Sequence, residues 1–138
     1  LDEPGGANLV GRTTVEELVW IIRNARGVLA CEGGTVHLAA HLGVPTVVLF
    51  GPTDPVYWGY GASLNLVAES CACPRRPCEF SDAGWHLRCV EGREDEHGHA
   101  ECMTAFLDDA DNLVARTADF FLELSPPKDA STERRSPS

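Results

Sequence analysis

A glutamate, two adjacent glycines and a histidine stand within six residues of one another, as Glu32, Gly33, Gly34 and His37. Main-chain N–H groups at the start of a helix attract anions, and glycines let a phosphate approach them closely. The side chain of His37 leans back toward that helix start and can donate to a phosphate oxygen. Glu32 can accept hydrogen bonds from hydroxyl groups. These residue types indicate a site for a phosphorylated, hydroxyl-bearing ligand.

The segments around these residues predict a strand, a turn, a helix and a second strand. Residues 28–31 form a short apolar run, and residues 35–42 place Val36, Ala39 and Ala40 on one helical face, with Gly43 as the C-cap. Residues 46–50 are apolar on both faces, which is typical of a strand inside a parallel sheet. The order predicts an α/β fold with a Rossmann-like parallel sheet and flanking helices.

A second loop, Gly51-Pro52-Thr53-Asp54, follows the second strand. Ligands of open parallel sheets bind outside the carboxyl ends of the strands, so this loop and Glu32–His37 are expected at one crevice. A Gly-Gly turn can also exist for tight packing alone, and a single helical histidine is more often a surface or core residue. The convergence of two loops at one sheet edge favours the binding interpretation.

The remaining elements are predicted from caps and periodicity. Thr13 and Glu16 fit a capping box for a helix over residues 14–25, whose buried stripe is Val15, Leu18, Val19 and Ile22. Residues 64–68 alternate as a strand. Residues 108–124 predict the last helix, with its buried stripe at Leu113, Val114, Phe120, Phe121 and Leu124. The Pro- and Ser-rich residues 125–138 predict a disordered tail, and residues 1–124 are expected to form one domain.

Size and charge narrow the class of protein. The chain has 138 residues and a formal net charge of −10, which argues against nucleic-acid binding. No run approaches the ~20 apolar residues of a transmembrane helix, and no signal peptide is recognisable. We therefore expect a cytoplasmic protein. Its length suits one domain.

The motifs together resemble glycosyltransferase family 9, the ADP-heptose:lipopolysaccharide heptosyltransferases. Residues 31–55 (CEGGTVHLAAHLGVPTVVLFGPTDP) are similar to the family pattern Asp-(Ser/Thr)-Gly-x-x-His-Leu-x-Ala, followed by a strand and Gly-Pro-Thr-(Asp/Asn)-Pro. Residues 10–18 resemble its Gly-(Lys/Arg)-Thr-Ser stretch, and Trp58-Gly59-Tyr60-Gly61 resembles its Trp-Gly-Pro-Tyr-Gly. The resemblance runs from about residue 9 to residue 102.

The resemblance implies the C-terminal, donor-binding half of a GT-B inverting glycosyltransferase that acts on a lipopolysaccharide core or related acceptor. The implied donor-binding residues are Thr13, Glu32, Gly33, Gly34, Thr35, His37, Gly51, Pro52 and Thr53, of which His37 and Glu32 are also the candidate catalytic residues. Glu32 stands where the family has Asp, and Gly33 stands where it has Ser or Thr. Because of these two departures, the sequence leaves open whether the donor is ADP-heptose, as in the family, or a related nucleotide-sugar.

The resemblance also implies a missing part. The acceptor-binding half and its general base lie outside these residues, so we expect a fragment that binds nucleotide-sugar without turnover. In the full-length enzyme it would be peripheral to the inner membrane, and no metal would be required for transfer. The alternative is a non-catalytic Rossmann-like binding or scaffold module that is stabilised by a Cys-bound metal.

Five of the six cysteines lie in a Cys-rich, irregular insert over residues 70–102. Cys73, Cys78, Cys89 and Cys102, with Cys71 as an alternative, offer the four thiolates that a structural zinc or iron site takes. Some family relatives that glycosylate autotransporters carry a four-Cys iron site in this region. His86, His97 and His99 are possible substitute ligands, and thiols without metal are the simpler alternative. Cys31 is expected to be a buried core residue.

Overall fold

The computed structural model describes residues 5–80 and 88–124. In chain order the elements are α1 (Val15–Asn24), β1 (Val28–Cys31), α2 (Gly34–His41), β2 (Thr46–Phe50), α3 (Pro55–Trp58), β3 (Leu64–Val67), α4 (Glu101–Asp108) and α5 (Ala110–Glu123). His86 and the tail over residues 125–138 lie outside the described residues.

The three strands form one parallel sheet in the order β1-β2-β3. Cys31 pairs with Leu49, and Phe50 pairs with Val67, so the strands end at a common edge. The predicted α/β fold with a parallel sheet and flanking helices is confirmed, and both strands of the βαβ unit have the predicted bounds. Residues that follow β1 and β2 are thereby brought to the same side of the molecule.

The central strand β2 is buried because both of its faces are covered. Val48 and Phe50 pack with Val36 of α2. On the other face, Val47 packs with Leu66 and with Phe106 of α4. Burial of such side chains contributes about 25 cal/mol per Å² of apolar surface, and it makes β2 the rigid element from which the neighbouring loops extend.

The first helix begins one residue later than the sequence predicted. Thr14, rather than Thr13, is the N-cap: its Oγ1 accepts from Glu17 N at 3.2 Å, and its N–H donates to Glu17 Oε2 at 2.8 Å. Thr13-x-x-Glu16 and Thr14-x-x-Glu17 have the same spacing, so the motif alone cannot choose between them. Ile22 is buried as predicted in a cluster with Ala39 and Val44, whereas Val15 lies outside that cluster and is 73% exposed.

The predicted last helix is present as α5, which begins at Ala110 instead of residue 108, and a helix that was not predicted, α4, precedes it. Asp109 has φ −130° and ψ 44°, which ends α4 and begins α5. Leu113, Phe120 and Phe121 pack on the core as predicted. Val114 and Leu124 lie outside this contact and are 67% and 50% exposed, so the stripe that packs on the core is narrower than expected. Cys102 lies on α4, within a segment that the sequence assigned to an irregular insert.

Cys31 is exposed, which corrects the expectation that it is a core residue. It lies on the same face of β1 as Leu29, which is 49% exposed, and none of the described elements covers that face. Within residues 5–80 and 88–124, every helix is too short or too polar to cross a bilayer.

Candidate functional site

The glycine corner, residues 32–34, connects β1 to α2. Glu32 N donates to Leu49 O at 3.0 Å, which extends the strand pairing one residue beyond β1. Gly33 then adopts φ 154° and ψ −170°, a region that essentially only glycine enters. Its carbonyl accepts from Val36 N at 3.0 Å and from His37 N at 3.3 Å, which starts the helix. The backbone therefore requires glycine at position 33.

The glycine corner faces open space. A Cβ built on Gly33 or on Gly34 would meet no atom within 4 Å. The first N–H groups of α2 have no acceptor within the helix, and the dipole makes this end attractive to an anion. Packing therefore does not explain the second glycine, and the space that a ligand needs is present.

His37 and Glu32 lie beside each other at this corner. His37 Nε2 is 3.5 Å from Glu32 Oε1, and their side chains are 36% and 17% exposed. His37 Nδ1 lies 2.8 Å from the hydroxyl of Tyr60. The imidazole thus sits at the surface with one nitrogen toward the glycine corner, and the two candidate catalytic residues are brought together.

Tyr60 is a contact of His37 that sequence reasoning did not find. Its ring meets His37 edge-on at a centroid distance of 5.7 Å and meets His41 at 6.2 Å. In the sequence, Tyr60 stands out only as a member of the Trp-Gly-Tyr-Gly motif. Because it lies 23 residues from His37 in sequence, no local periodicity could have paired the two.

The second loop, residues 51–54, is packed rather than open. A Cβ on Gly51 would overlap Met103 Sδ and would lie 3.3 Å from Cys102 Sγ, so α4 occupies that side of the residue. Thr53 is 5% exposed, and its hydroxyl has no hydrogen-bond partner among the described residues. Close packing on α4 accounts for the glycine at position 51.

A buried glutamate fastens this packed loop. Glu79 is 8% exposed; its Oε1 accepts from Asp54 N at 3.1 Å, and its Oε2 accepts from Trp58 Nε1 at 2.7 Å. Cys78 N donates to Pro52 O at 2.9 Å. The start of the Cys-rich insert therefore holds the loop after β2, a role for Glu79 that its sequence neighbours did not indicate.

Thr13 lies apart from the glycine corner. It lines a groove of about 310 Å³ with Leu9, Arg12, Glu17, Trp20 and Ile21, and none of these residues belongs to the glycine corner. The structure therefore brings together Glu32, the two glycines and His37, and it leaves Thr13 on a separate surface.

The four cysteines named from the sequence line one cavity. Cys73, Cys78, Cys89 and Cys102 surround about 20 Å³, roughly the room that one water molecule needs. All are free thiols, and Cys71 is buried in the adjoining core. His97 and His99 do not line this cavity; both donate backbone N–H groups to Asp95 on an exposed turn.

The electrostatics of this thiol cavity reflect burial and crowding. Burial, and to a lesser extent the neighbouring Cys71, raises the pKa of Cys102 to about 11. Burial also raises the pKa of Cys78, with Cys73 and Cys89 adding to the effect. Across residues 5–80 and 88–124, no group of three or more His, Cys, Asp or Glu side chains is arranged to hold a metal ion.

An open glycine corner at the carboxyl edge of a parallel α/β sheet is the usual place where such folds bind nucleotides. The sequence profile of glycosyltransferase family 9 (heptosyltransferase) matches residues 1–85, and the chain belongs to this family. Cys89 and Cys102 lie beyond the matched residues.

Individual relatives agree with the family. Lipopolysaccharide heptosyltransferase 1 of Pseudomonas aeruginosa is 37% identical over 78 residues, which are 54% of this chain and 22% of that protein. Lipooligosaccharide heptosyltransferase 2 of Haemophilus influenzae is 40% identical over 50 residues, 36% of this chain and 14% of that protein. The chain thus spans less than a quarter of the length of these relatives. No solved structure matches it significantly.

Proposed function

We propose that this chain is the nucleotide-sugar-binding half of an inverting GT-B glycosyltransferase. Its donor is ADP-heptose or a related nucleotide-sugar, and its acceptor is a lipopolysaccharide core or related glycan. The observation that carries the proposal is the open glycine corner with Glu32 and His37 paired beside it, 3.5 Å apart. Membership of the heptosyltransferase family supports the class of donor and acceptor.

In the proposed mechanism the diphosphate is both the group by which the donor is bound and the leaving group. N–H groups at Gly34 and Thr35 and the dipole of α2 bind its oxygens. His37 donates a further hydrogen bond, which strengthens as negative charge develops when the glycosidic bond breaks. Glu32 accepts from hydroxyl groups of the sugar. Protein groups alone stabilise the leaving group, so the transfer step requires no metal ion.

The acceptor hydroxyl must be deprotonated by a base. Neither Glu32 nor His37 is assigned to that step, because both are placed on the donor side. The general base and acceptor-binding surface are therefore assigned to a second half of the enzyme. On this proposal the 138-residue chain binds the donor nucleotide and transfers nothing by itself.

Two departures from the family pattern affect the donor. Glu32 is one methylene longer than the family's aspartate, which changes how far the carboxylate reaches toward the sugar. Gly33 lacks the hydroxyl of the family's Ser or Thr, and its φ of 154° disfavours any other residue there. The sugar is therefore expected to be held by fewer hydroxyl contacts than in relatives with the family pattern.

The test is to titrate the complete chain with ADP and with an ADP-sugar and to measure binding by calorimetry. His37→Ala should weaken binding by roughly tenfold or more, since a hydrogen bond to a charged group is worth about 1.5–3 kcal/mol. His41→Ala is the matched control, because His41 lies one turn further along α2 and, among the described residues, forms its one hydrogen bond with His37 O, at 2.7 Å. Absence of saturable ADP binding by the unmodified chain would reject the proposed function, and turnover by it would reject the division into halves.

The thiol cavity supports a second candidate role, a scaffold module held by a structural metal. Cys73, Cys78, Cys89 and Cys102 fit zinc or iron in donor type and number, and they share one cavity, although the described thiols are not at coordinating positions. Four protein ligands leave no open position, so the metal would stabilise structure without taking part in transfer. The cavity adjoins Pro52, so the metal would also brace the loop after β2.

Elemental analysis of the purified chain tests this role. One zinc or iron per chain, lost in Cys78→Ser but retained in Cys31→Ser, is the expected result. Cys31 is a suitable control because it is exposed on β1, away from the cavity. A metal-free chain that is folded would reject the metal site. Bound metal without ADP affinity would favour the scaffold over the transferase.

A further inference from the structure

We propose that Tyr60 is a positioning residue that fixes the ring of His37 with its proton on Nε2, the nitrogen that faces the glycine corner. The inference rests on the proposed function for what that proton does, namely donate to the diphosphate. It rests on the structure for the arrangement itself. Neither the contact between Tyr60 and His37 nor the tautomer of His37 follows from the family motif.

Both nitrogens of His37 have a partner, and the two partners favour the same tautomer. The Tyr60 hydroxyl lies 2.8 Å from Nδ1, and Glu32 Oε1 lies 3.5 Å from Nε2. An ionised carboxylate only accepts, whereas a phenol can donate or accept. If the proton were on Nδ1, the Nε2 lone pair would face the carboxylate. With the proton on Nε2, Tyr60 donates to Nδ1 and the N–H points toward Glu32.

Tyr60 is itself held firmly enough to act in this way. Its ring packs against the cluster of Val36, Val48 and Phe50. Its carbonyl accepts from Ser63 N at 3.0 Å and from Asn65 Nδ2 at 3.1 Å. The hydroxyl therefore projects from a fixed segment before β3 and reaches α2.

The neighbouring histidine does not compete for this hydroxyl. His41 Nδ1 lies 2.7 Å from His37 O, and its ring meets Tyr60 edge-on at 81°. One histidine of α2 is thus bonded to backbone and the other to Tyr60. A ring fixed before ligand binding loses less conformational entropy when it donates to the diphosphate.

The experiment reads the tautomer directly in the complete chain labelled with ¹⁵N-histidine. Long-range ¹H–¹⁵N NMR of neutral His37 should show the proton on Nε2 and Nδ1 as a hydrogen-bonded acceptor. In Tyr60→Phe, the Nδ1 resonance should move to that of an acceptor without a donor. Tyr57→Phe is the matched control, because Tyr57 is the other of the two tyrosines and is 70% exposed.

ADP titration supplies the second readout. Tyr60→Phe should weaken ADP binding by roughly three- to tenfold, the range of one neutral hydrogen bond. In the His37→Ala background the same change should have no further effect, since the two residues act through one contact. A merely structural role for Tyr60 would instead give additive losses and an unchanged His37 tautomer.

The outcomes separate this inference from the proposed function. A proton on Nδ1 in the unmodified chain, or His37 resonances unchanged in Tyr60→Phe, overturns the positioning role even if ADP binds. The expected tautomer in a chain that does not bind ADP supports the positioning role and rejects the nucleotide site. The unmodified chain alone decides the tautomer if Tyr60→Phe does not fold.

Discussion

Two glycine-containing loops leave the same edge of the sheet, and their glycines serve different physical purposes. At the glycine corner after β1, a Cβ on Gly34 would enter empty space. At the packed loop after β2 (residues 51–54), a Cβ on Gly51 would overlap Met103. Gly34 leaves room for a ligand, whereas Gly51 allows α4 of the same chain to pack closely.

This difference changes how the two loops enter the proposed site. Both have the sequence signature of a ligand loop, but only the glycine corner presents unobstructed backbone next to polar side chains. The packed loop is fixed from behind by α4 and by Glu79, which is 8% exposed. We infer that the glycine corner contacts the nucleotide-sugar of the proposed function and that the packed loop supports the site without contacting the ligand.

The largest effect is expected from removing the carboxylate that fastens the packed loop. Glu79→Ala leaves Asp54 N and Trp58 Nε1 without their acceptor, and hydrogen bonds to charged groups are worth about 1.5–3 kcal/mol each. We expect a loss of about 3 kcal/mol in the free energy of unfolding, measured by urea denaturation. Glu69→Ala is the control, because the Glu69 side chain is 83% exposed.

The conservative variant refines this prediction. Glu79→Gln keeps one acceptor oxygen, so its unfolding free energy should fall between those of the unmodified chain and Glu79→Ala. Equal stability of all three proteins would mean that the packed loop is held by other contacts, and the contrast between the two loops would weaken.

The next effect concerns the glycine that packs on α4. Gly51→Ala forces Met103 and Cys102 to move, and overpacking of this kind costs about 1–3 kcal/mol. Chemical denaturation should show the loss. Met103→Ala removes the obstructing side chain. In that background, Gly51→Ala should therefore reduce the free energy of unfolding by less than it does in the unmodified chain. A Gly51→Ala chain as stable as the original would contradict close packing.

The same substitution at the glycine corner should act on binding and not on stability. Gly34→Ala meets no atom within 4 Å and lies at the start of a helix, where alanine is at least as favourable as glycine. Its Cβ would occupy the path of the diphosphate, so ADP affinity should fall by about tenfold, or about 1.4 kcal/mol, in calorimetry.

Gly61→Ala is the matched control for that variant. Gly61 also has room for a Cβ and an ordinary φ, but it lines a different groove with Pro45 and Leu124. Unchanged ADP affinity in Gly34→Ala would show that the space at the glycine corner is not used by the nucleotide.

The sequence predicted those features that depend on local pattern. The apolar run of β2 and the glycine turn before α2 were sufficient for the parallel α/β unit and for the common edge. The helix α4 was missed although Cys102, Ala105 and Phe106 have helical spacing, because the surrounding acidic and cysteine residues suggested a loop.

The contacts that position the site were beyond sequence reasoning because they join distant segments. Tyr60 lies 23 residues from His37, and Glu79 lies 25 residues from Asp54. Each depends on how a loop of the insert or of the sheet edge folds back, which no periodicity records. The sequence motif predicted Glu32 and His37 as members of one site, while the 3.5 Å distance between His37 Nε2 and Glu32 Oε1 required the structure.

The smallest effect is expected on the outer turn of the insert, which touches neither loop. Asp95 Oδ1 accepts from His97 N at 2.9 Å and from His99 N at 2.8 Å. These bonds, chiefly that from the backbone of His99, lower the pKa of Asp95. A lowered pKa in the folded chain means that this contribution to stability is complete above the pKa of the unfolded chain and is lost as pH falls through the folded value.

Because the turn is exposed, that contribution is small. When the denaturation midpoint is measured as a function of pH, Asp95→Asn should make its fall at acid pH slightly less steep. At neutral pH the midpoint should stay close to that of the unmodified chain. Asp119→Asn, on the exposed face of α5, is the control. If Asp95→Asn lowered stability as much as Glu79→Ala does, the insert would be a cooperative part of the core, and the packed loop would lose its special place in the comparison.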